Sequence, residues 1–159
     1  MAEDLIVRKG SKEDMYMVLL PQIEALLAGE TDMIAAMANV AAALKQTFGF
    51  FWVGFYRVKG DLLVLAPFQG PVACSRIKYG KGVCGTAWKD GQTVIVPNVE
   101  EFPGHIACNA ASKSEIVVPL IRDNNVIAVL DIDSDSLNSF NEVDALYLER
   151  ICRLINVGD

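Results

Sequence analysis

The chain has 159 residues, 52% of them hydrophobic and 21% charged, enough for one domain whose core needs neither disulfide nor metal. Its formal net charge of −6 argues against nucleic acid, which calls for a clustered basic face, and no basic amphipathic helix suggests a membrane surface. The amino terminus, MAEDLIVRKG, has no long apolar segment, so neither a signal peptide nor a membrane span is expected, and the cytoplasm is the expected compartment. Cysteines there are more often reactive, metal-bound or buried than bridged, so each of the four needs its own reading.

From Lys12 to Leu27 helical spacing is interrupted by Pro21, which predicts one kinked helix or two short ones. Between Thr31 and Phe48, Met33, Met37, Val40, Ala41, Leu44 and Phe48 recur every three or four residues, with Thr31 as the expected N-cap. The period then changes. FFWVGFYRV and DLLVLAPF are strand-like runs separated by a tight turn around Gly60. TVIVPN, EIVVPLI and VIAVLDID read as further strands, the last two joined by a hairpin turn over Arg122 to Asn125. The long stretch from Gln69 to Gly91 holds Cys74 and Cys84, with a short helix expected after Gly82. Near the end, Ser139 and Glu142 have capping-box spacing, and Val143, Tyr147, Ile151 and Leu154 form an apolar stripe. The expected class is α+β, an antiparallel sheet with the terminal helices on one face and loops around a pocket on the other.

Side chains alternate across a strand, so Trp52, Gly54 and Tyr56 share one face and Phe51, Val53 and Phe55 the other. Two aromatics flanking a glycine suggest a notch for an apolar group; an aromatic cluster that merely packs the core is the plainer alternative. Asp131 and Asp133 lie two apart at the end of an apolar strand, so both carboxylates point one way. Burial there raises at least one pKa, whereas a strand already ended would leave both solvated. Glu115, at the start of another strand, can join them.

Structural zinc usually shows closely paired ligands, and this chain has no CxxC pair and one histidine, so no metal is expected. Cys108 and His105 could meet as nucleophile and base, but nothing marks an orienting partner or oxyanion element. Thiol redox chemistry fits better. By residue chemistry alone Cys84 ranks first, because a helix N-terminus lowers a thiol pKa. Cys108, in a run of small polar residues, is the more accessible, and Cys152 reads as a buried small hydrophobe. The order among Cys74, Cys84 and Cys108 stays open on these grounds.

Taken together, FWVGFY, LAPFQGPVAC, GKGVCGTAW, GHIACNAASKSEIVVPL and VLDIDS resemble the free methionine-(R)-sulfoxide reductases, which are built on a GAF domain. The resemblance runs from about Glu30 through Leu154. It implies a single GAF domain over 1–159, with N-terminal helices at about 12–48, sheet and site loops at about 50–134 and a C-terminal helix at about 140–155. It further implies reduction of free methionine (R)-sulfoxide with no bound cofactor and recycling by thioredoxin or another dithiol. By its motifs Cys108 is the nucleophile, Cys74 the resolving cysteine and Cys84 a third thiol. Trp52 and Tyr56 then surround the substrate, with Glu115, Asp131 and Asp133 as polar anchors and Asp133 with Glu115 as the expected acid. Family likeness and the apolar surplus also make a homodimer an expectation. Two non-catalytic alternatives share these motifs: a GAF-type small-molecule sensor, which usually accompanies an output domain that 159 residues leave no room for, and a thiol redox sensor, which needs no acid pair or aromatic notch.

Overall fold

The computed structural model describes residues 4–155; the first three and last four residues of the expected 1–159 domain lie outside them. Helix α1 (Lys12–Leu27) is one continuous helix, not two. Pro21 is exposed on the same side as Met17, so the hydrogen bond it cannot donate to the Met17 carbonyl is lost on the solvent face, where water replaces it. Helix α2 (Met33–Phe48) is capped by Asp32, whose Oδ1 accepts from the Ile34 and Ala35 amides, and not by Thr31. Its other end stops at Gly49, in the left-handed conformation.

Strands β1 (Trp52–Lys59) and β2 (Leu62–Gln69) form the first hairpin, with Gly60 at φ 62° in its two-residue loop. Pro67 falls where the β1–β2 register shifts between Gly54 and Tyr56, a bulge that spares the ladder a missing donor. A short β3 (Arg76–Lys78), which periodicity did not reveal, pairs with β2; α3 (Gly82–Asp90) and β4 (Val94–Val96) follow. Strands β5 (Ser114–Arg122) and β6 (Asn125–Ser134) make the second hairpin. Its turn residues Asp123 and Asn124 both have positive φ, the left-handed pair such a turn demands. Helix α4 (Glu142–Leu154) closes the chain.

The six strands form one antiparallel sheet in the order β3-β2-β1-β6-β5-β4. On one face α1, α2 and α4 bury the main core, which includes Val53, Phe55, Leu130 and Ile132 from the sheet and Leu148 and Ile151 from α4. On the other face a smaller core forms beneath α3, with Trp52, Tyr56, Cys84, Ala87, Val117 and Val129. Phe51 packs with this second cluster rather than with Val53 and Phe55, because the strand starts only at Trp52. In the α4 stripe Tyr147 and Ile151 are buried, while Val143 and Leu154 lie at its half-buried edges.

The α4 cap also differs from the expected Ser139–Glu142 pair. Ser139 Oγ instead bonds Ser134 Oγ at 2.6 Å, and Asn141 and Asp144 make the reciprocal box. Asp144 does more than cap. Its buried carboxylate accepts from Tyr16 Oη and Lys12 Nζ, each at 2.6 Å, and so ties α1 to α4.

Candidate active site

The sheet register aligns the polar residues. Glu115 on β5 lies opposite Asp133 on β6, and Asp133 lies opposite Trp52 on β1. One step along, Asp131 lies between Val117 and Gly54. Three acids and an indole therefore share the face under α3. The strand has not ended at Asp131, which is 6% exposed, as is Glu115; Asp133 is half-buried. The solvated reading of the two aspartates is thus excluded.

Trp52 is held on every side. Its ring stacks on Phe68 with centroids 5.2 Å apart and faces Tyr56 at 6.0 Å, and its Nε1 donates to the Pro71 carbonyl at 3.0 Å. A Cβ on Gly54 would lie 2.8 Å from Trp52 Cη2, and one on Gly70 would lie 2.7 Å from Trp52 Cδ1. The glycine notch is therefore real but occupied. Its floor is filled by the Trp52 ring and Phe68, and the ligand space lies beyond them. Tyr56 donates its hydroxyl to the Cys74 carbonyl at 2.8 Å, so it positions the cysteine loop as well as lining the cavity.

Burial governs the electrostatics. Desolvation and the charges of Asp131 and Asp133 push Glu115 well above the usual carboxylate range; desolvation and Asp131 do the same to Asp133. Asp131 is also raised by burial, but Glu115, Cys84 and His105 oppose the rise. The three acids are therefore all pushed toward their protonated forms, Asp131 against the opposing pull of its neighbours. His105 Nε2 lies 3.7 Å from Glu115 Oε1, and desolvation lowers its pKa.

The cysteines sort by location. Cys74 and Cys108, 34 residues apart in sequence, are joined by a disulfide with Cα atoms 5.5 Å apart. Cys108 lines a cavity of about 540 Å³, open side included, whose walls also include Trp52, Tyr56, Glu115, Asp131 and Asp133. Cys84 is buried in the floor, and its expected activation by a helix end does not hold. It sits in the first turn of α3, yet desolvation and then the charges of Asp131, Glu115 and Asp133 push its thiol pKa well up. Cys152 is buried on α4 itself, its thiol pKa pushed far up by desolvation. His105 has Glu115 within 3.7 Å, and Cys108 is engaged in the disulfide with Cys74.

A GAF domain family matches residues 28–157. The free methionine-R-sulfoxide reductase of Escherichia coli is 46% identical over 89% of this chain and 86% of its own length. The chain belongs to the free methionine-R-sulfoxide reductase family. A Dictyostelium discoideum relative described as GAF domain-containing protein A is 63% identical over 98% of this chain and 99% of its own. The solved structure of a free methionine-R-sulfoxide reductase from Neisseria meningitidis with its substrate superposes with a TM-score of 0.94. It is 53% identical, covering 96% of this chain and 93% of the other.

Within this family fold the cavity also has walls that periodicity could not reveal. Lys81, Asn109 and Ser112 line it, as do Val72 and Ile106. Ile106 lies against Gly82, where a Cβ would come within 3.0 Å, so the Cys108 loop rests on the start of α3. Only the nearness of Asn109 and Ser112 to Cys108 could have flagged them.

Proposed function

We propose that the chain reduces free L-methionine (R)-S-oxide to L-methionine, with Cys108 as nucleophile and Cys74 as resolving thiol. In the reduced enzyme the Cys108 thiolate attacks the sulfoxide sulfur. A proton from Asp133, backed by Glu115, goes to the sulfoxide oxygen, so that oxygen transfers to Cys108 and methionine leaves. Cys108 is then a sulfenic acid; Cys74 attacks it, water departs, and the disulfide forms. A thioredoxin-type dithiol exchanges with that disulfide and leaves as a disulfide itself. One sulfoxide and one dithiol thus give one methionine, one disulfide and one water.

The observation that carries this reading is the Cys74–Cys108 bond beside a cavity lined by acids whose pKa values burial raises. Burial raises the pKa of Glu115 and Asp133, the direction a proton donor requires. Asp131, whose rise is opposed by Glu115, Cys84 and His105, suits the substrate ammonium or the orientation of its neighbours. Trp52 packs the S-methyl end. A redox sensor would need the thiols but not these acids. The test is incubation with racemic methionine sulfoxide and a dithiol, followed by chiral separation. The R form of the free amino acid should vanish while the S form stays; persistence of both would overturn the proposal.

A further inference from the structure

The floor of the cavity brings together three donors from three elements: Cys84 Sγ from α3 and one carboxylate oxygen each from Glu115 on β5 and Asp131 on β6. All lie within 4.8 Å of one another, and all three residues are buried. The spacing rule that argued against metal concerns ligands close in sequence, and it does not reach ligands brought together by a sheet and a helix. A second observation points to a ligand. Asp131 Oδ1 is buried without a hydrogen-bond partner. A buried carboxylate oxygen left in this state costs free energy that a cation would recover.

We propose that this floor also binds a soft divalent cation of the zinc type, with Cys84, Glu115 and Asp131 as its protein ligands. Tetrahedral zinc takes sulfur at about 2.3 Å and carboxylate oxygen at about 2.0–2.2 Å, so donors this far apart need to close by only about 1 Å. A fourth position would be left for solvent, and His105 Nε2 lies 3.7 Å from Glu115 Oε1 nearby. A thiolate among the donors selects zinc or cobalt over magnesium or calcium. The bound ion would stand where the sulfoxide is expected, so binding and turnover would exclude each other. Binding must displace the Cys84 thiol proton, so affinity should rise with pH. Tyr56 on β1, Asp133 on β6, Lys81 just before α3 and His105 also line the cavity.

The experiment uses the oxidised protein, in which the disulfide removes Cys74 and Cys108 and leaves Cys84 and Cys152 as free thiols. Cobalt(II) titrated into oxidised Cys152→Ser should give a thiolate-to-cobalt charge-transfer band at one ion per chain, and zinc should displace it. Cys84 is then the sole thiol available, so the result does not depend on whether a Cys84 variant folds. Asp131→Asn should weaken cobalt binding by at least about tenfold, since loss of even outer-shell partners costs about 10- to 100-fold. No band in oxidised Cys152→Ser, or unchanged affinity in folded Asp131→Asn, would overturn the site. No turnover is involved, so this failure is distinct from failure of the reductase reading.

Discussion

At the scale of single residues, the three thiols near the cavity differ in what burial allows them. Cys108 is exposed in its loop, Cys74 is half-buried, and Cys84 is 4% exposed among carboxylates that oppose its ionisation. Replacing Cys108 with Ser should therefore abolish even a single turnover, read as methionine released per enzyme without reductant. Cys74→Ser should still release about one methionine per enzyme and then stall, because resolution and not oxygen transfer is lost. A first turnover retained in Cys108→Ser would transfer the nucleophile role to Cys84. Asp133→Asn should slow the reductive step by about 10²- to 10⁴-fold in single-turnover kinetics, the range of general acid catalysis; an unchanged rate would remove Asp133 as donor. Strand alternation made these acids legible in the sequence, since Asp131 and Asp133 had to share a face. The environment that raises their pKa values was not legible, because it depends on Glu115 arriving across the sheet and Cys84 descending from α3.

At the scale of elements, the contacts most sensitive to change lie where a side chain is missing or a charge is enclosed. Gly54→Ala would set a Cβ 2.9 Å from the Phe68 Cα and against the Trp52 ring. The β1–β2 pair must shift, at a cost of about 1–3 kcal/mol typical of overpacking. Urea unfolding should register the loss, and a displaced Trp52 should change the native fluorescence. Asp144→Ala removes the acceptor of Tyr16, Lys12 and the Asn141 amide together. Lys12 can turn to water, but the buried Tyr16 hydroxyl cannot, so a loss of about 1–3 kcal/mol is expected, with faster amide exchange at the α1–α4 contact. An unfolding midpoint equal to that of the parent would show that the tie contributes nothing. Hairpins and long helices were readable from periodicity and turn residues such as Asp123 and Asn124. Caps were misread at Thr31 and Ser139 because several polar residues stood near each helix start, and only the bonds formed distinguish Asp32 and Asn141 from their neighbours.

At the scale of the whole molecule, an acid cluster beneath α3 leaves a signature in stability. Glu115, Asp131 and Asp133 all have raised folded-state pKa values, so the folded chain holds protons that the unfolded chain releases from about pH 4 upward. Their contribution is full below that pH and declines as pH rises through the folded-state values. His105, lowered by burial, acts in the opposite sense as pH rises toward its unfolded value of about 6.5. Urea midpoints between pH 4 and 8 should fall less steeply in Glu115→Gln than in the parent protein. Parallel curves would mean that the cluster is not strained by burial.

The amino-acid order by itself determined the α+β class, the two hairpins, the apolar faces and the short set of residues worth testing, because periodicity and turn chemistry act between near neighbours. It did not determine how those residues meet. The union of Cys74 with Cys108, the filling of the Gly54 notch by Trp52, the burial of Cys84 and its convergence with Glu115 and Asp131 were all decided by the tertiary structure. The physical reason is range: desolvation and contact depend on which segments share a space, and here those segments come from different strands, a helix and two loops.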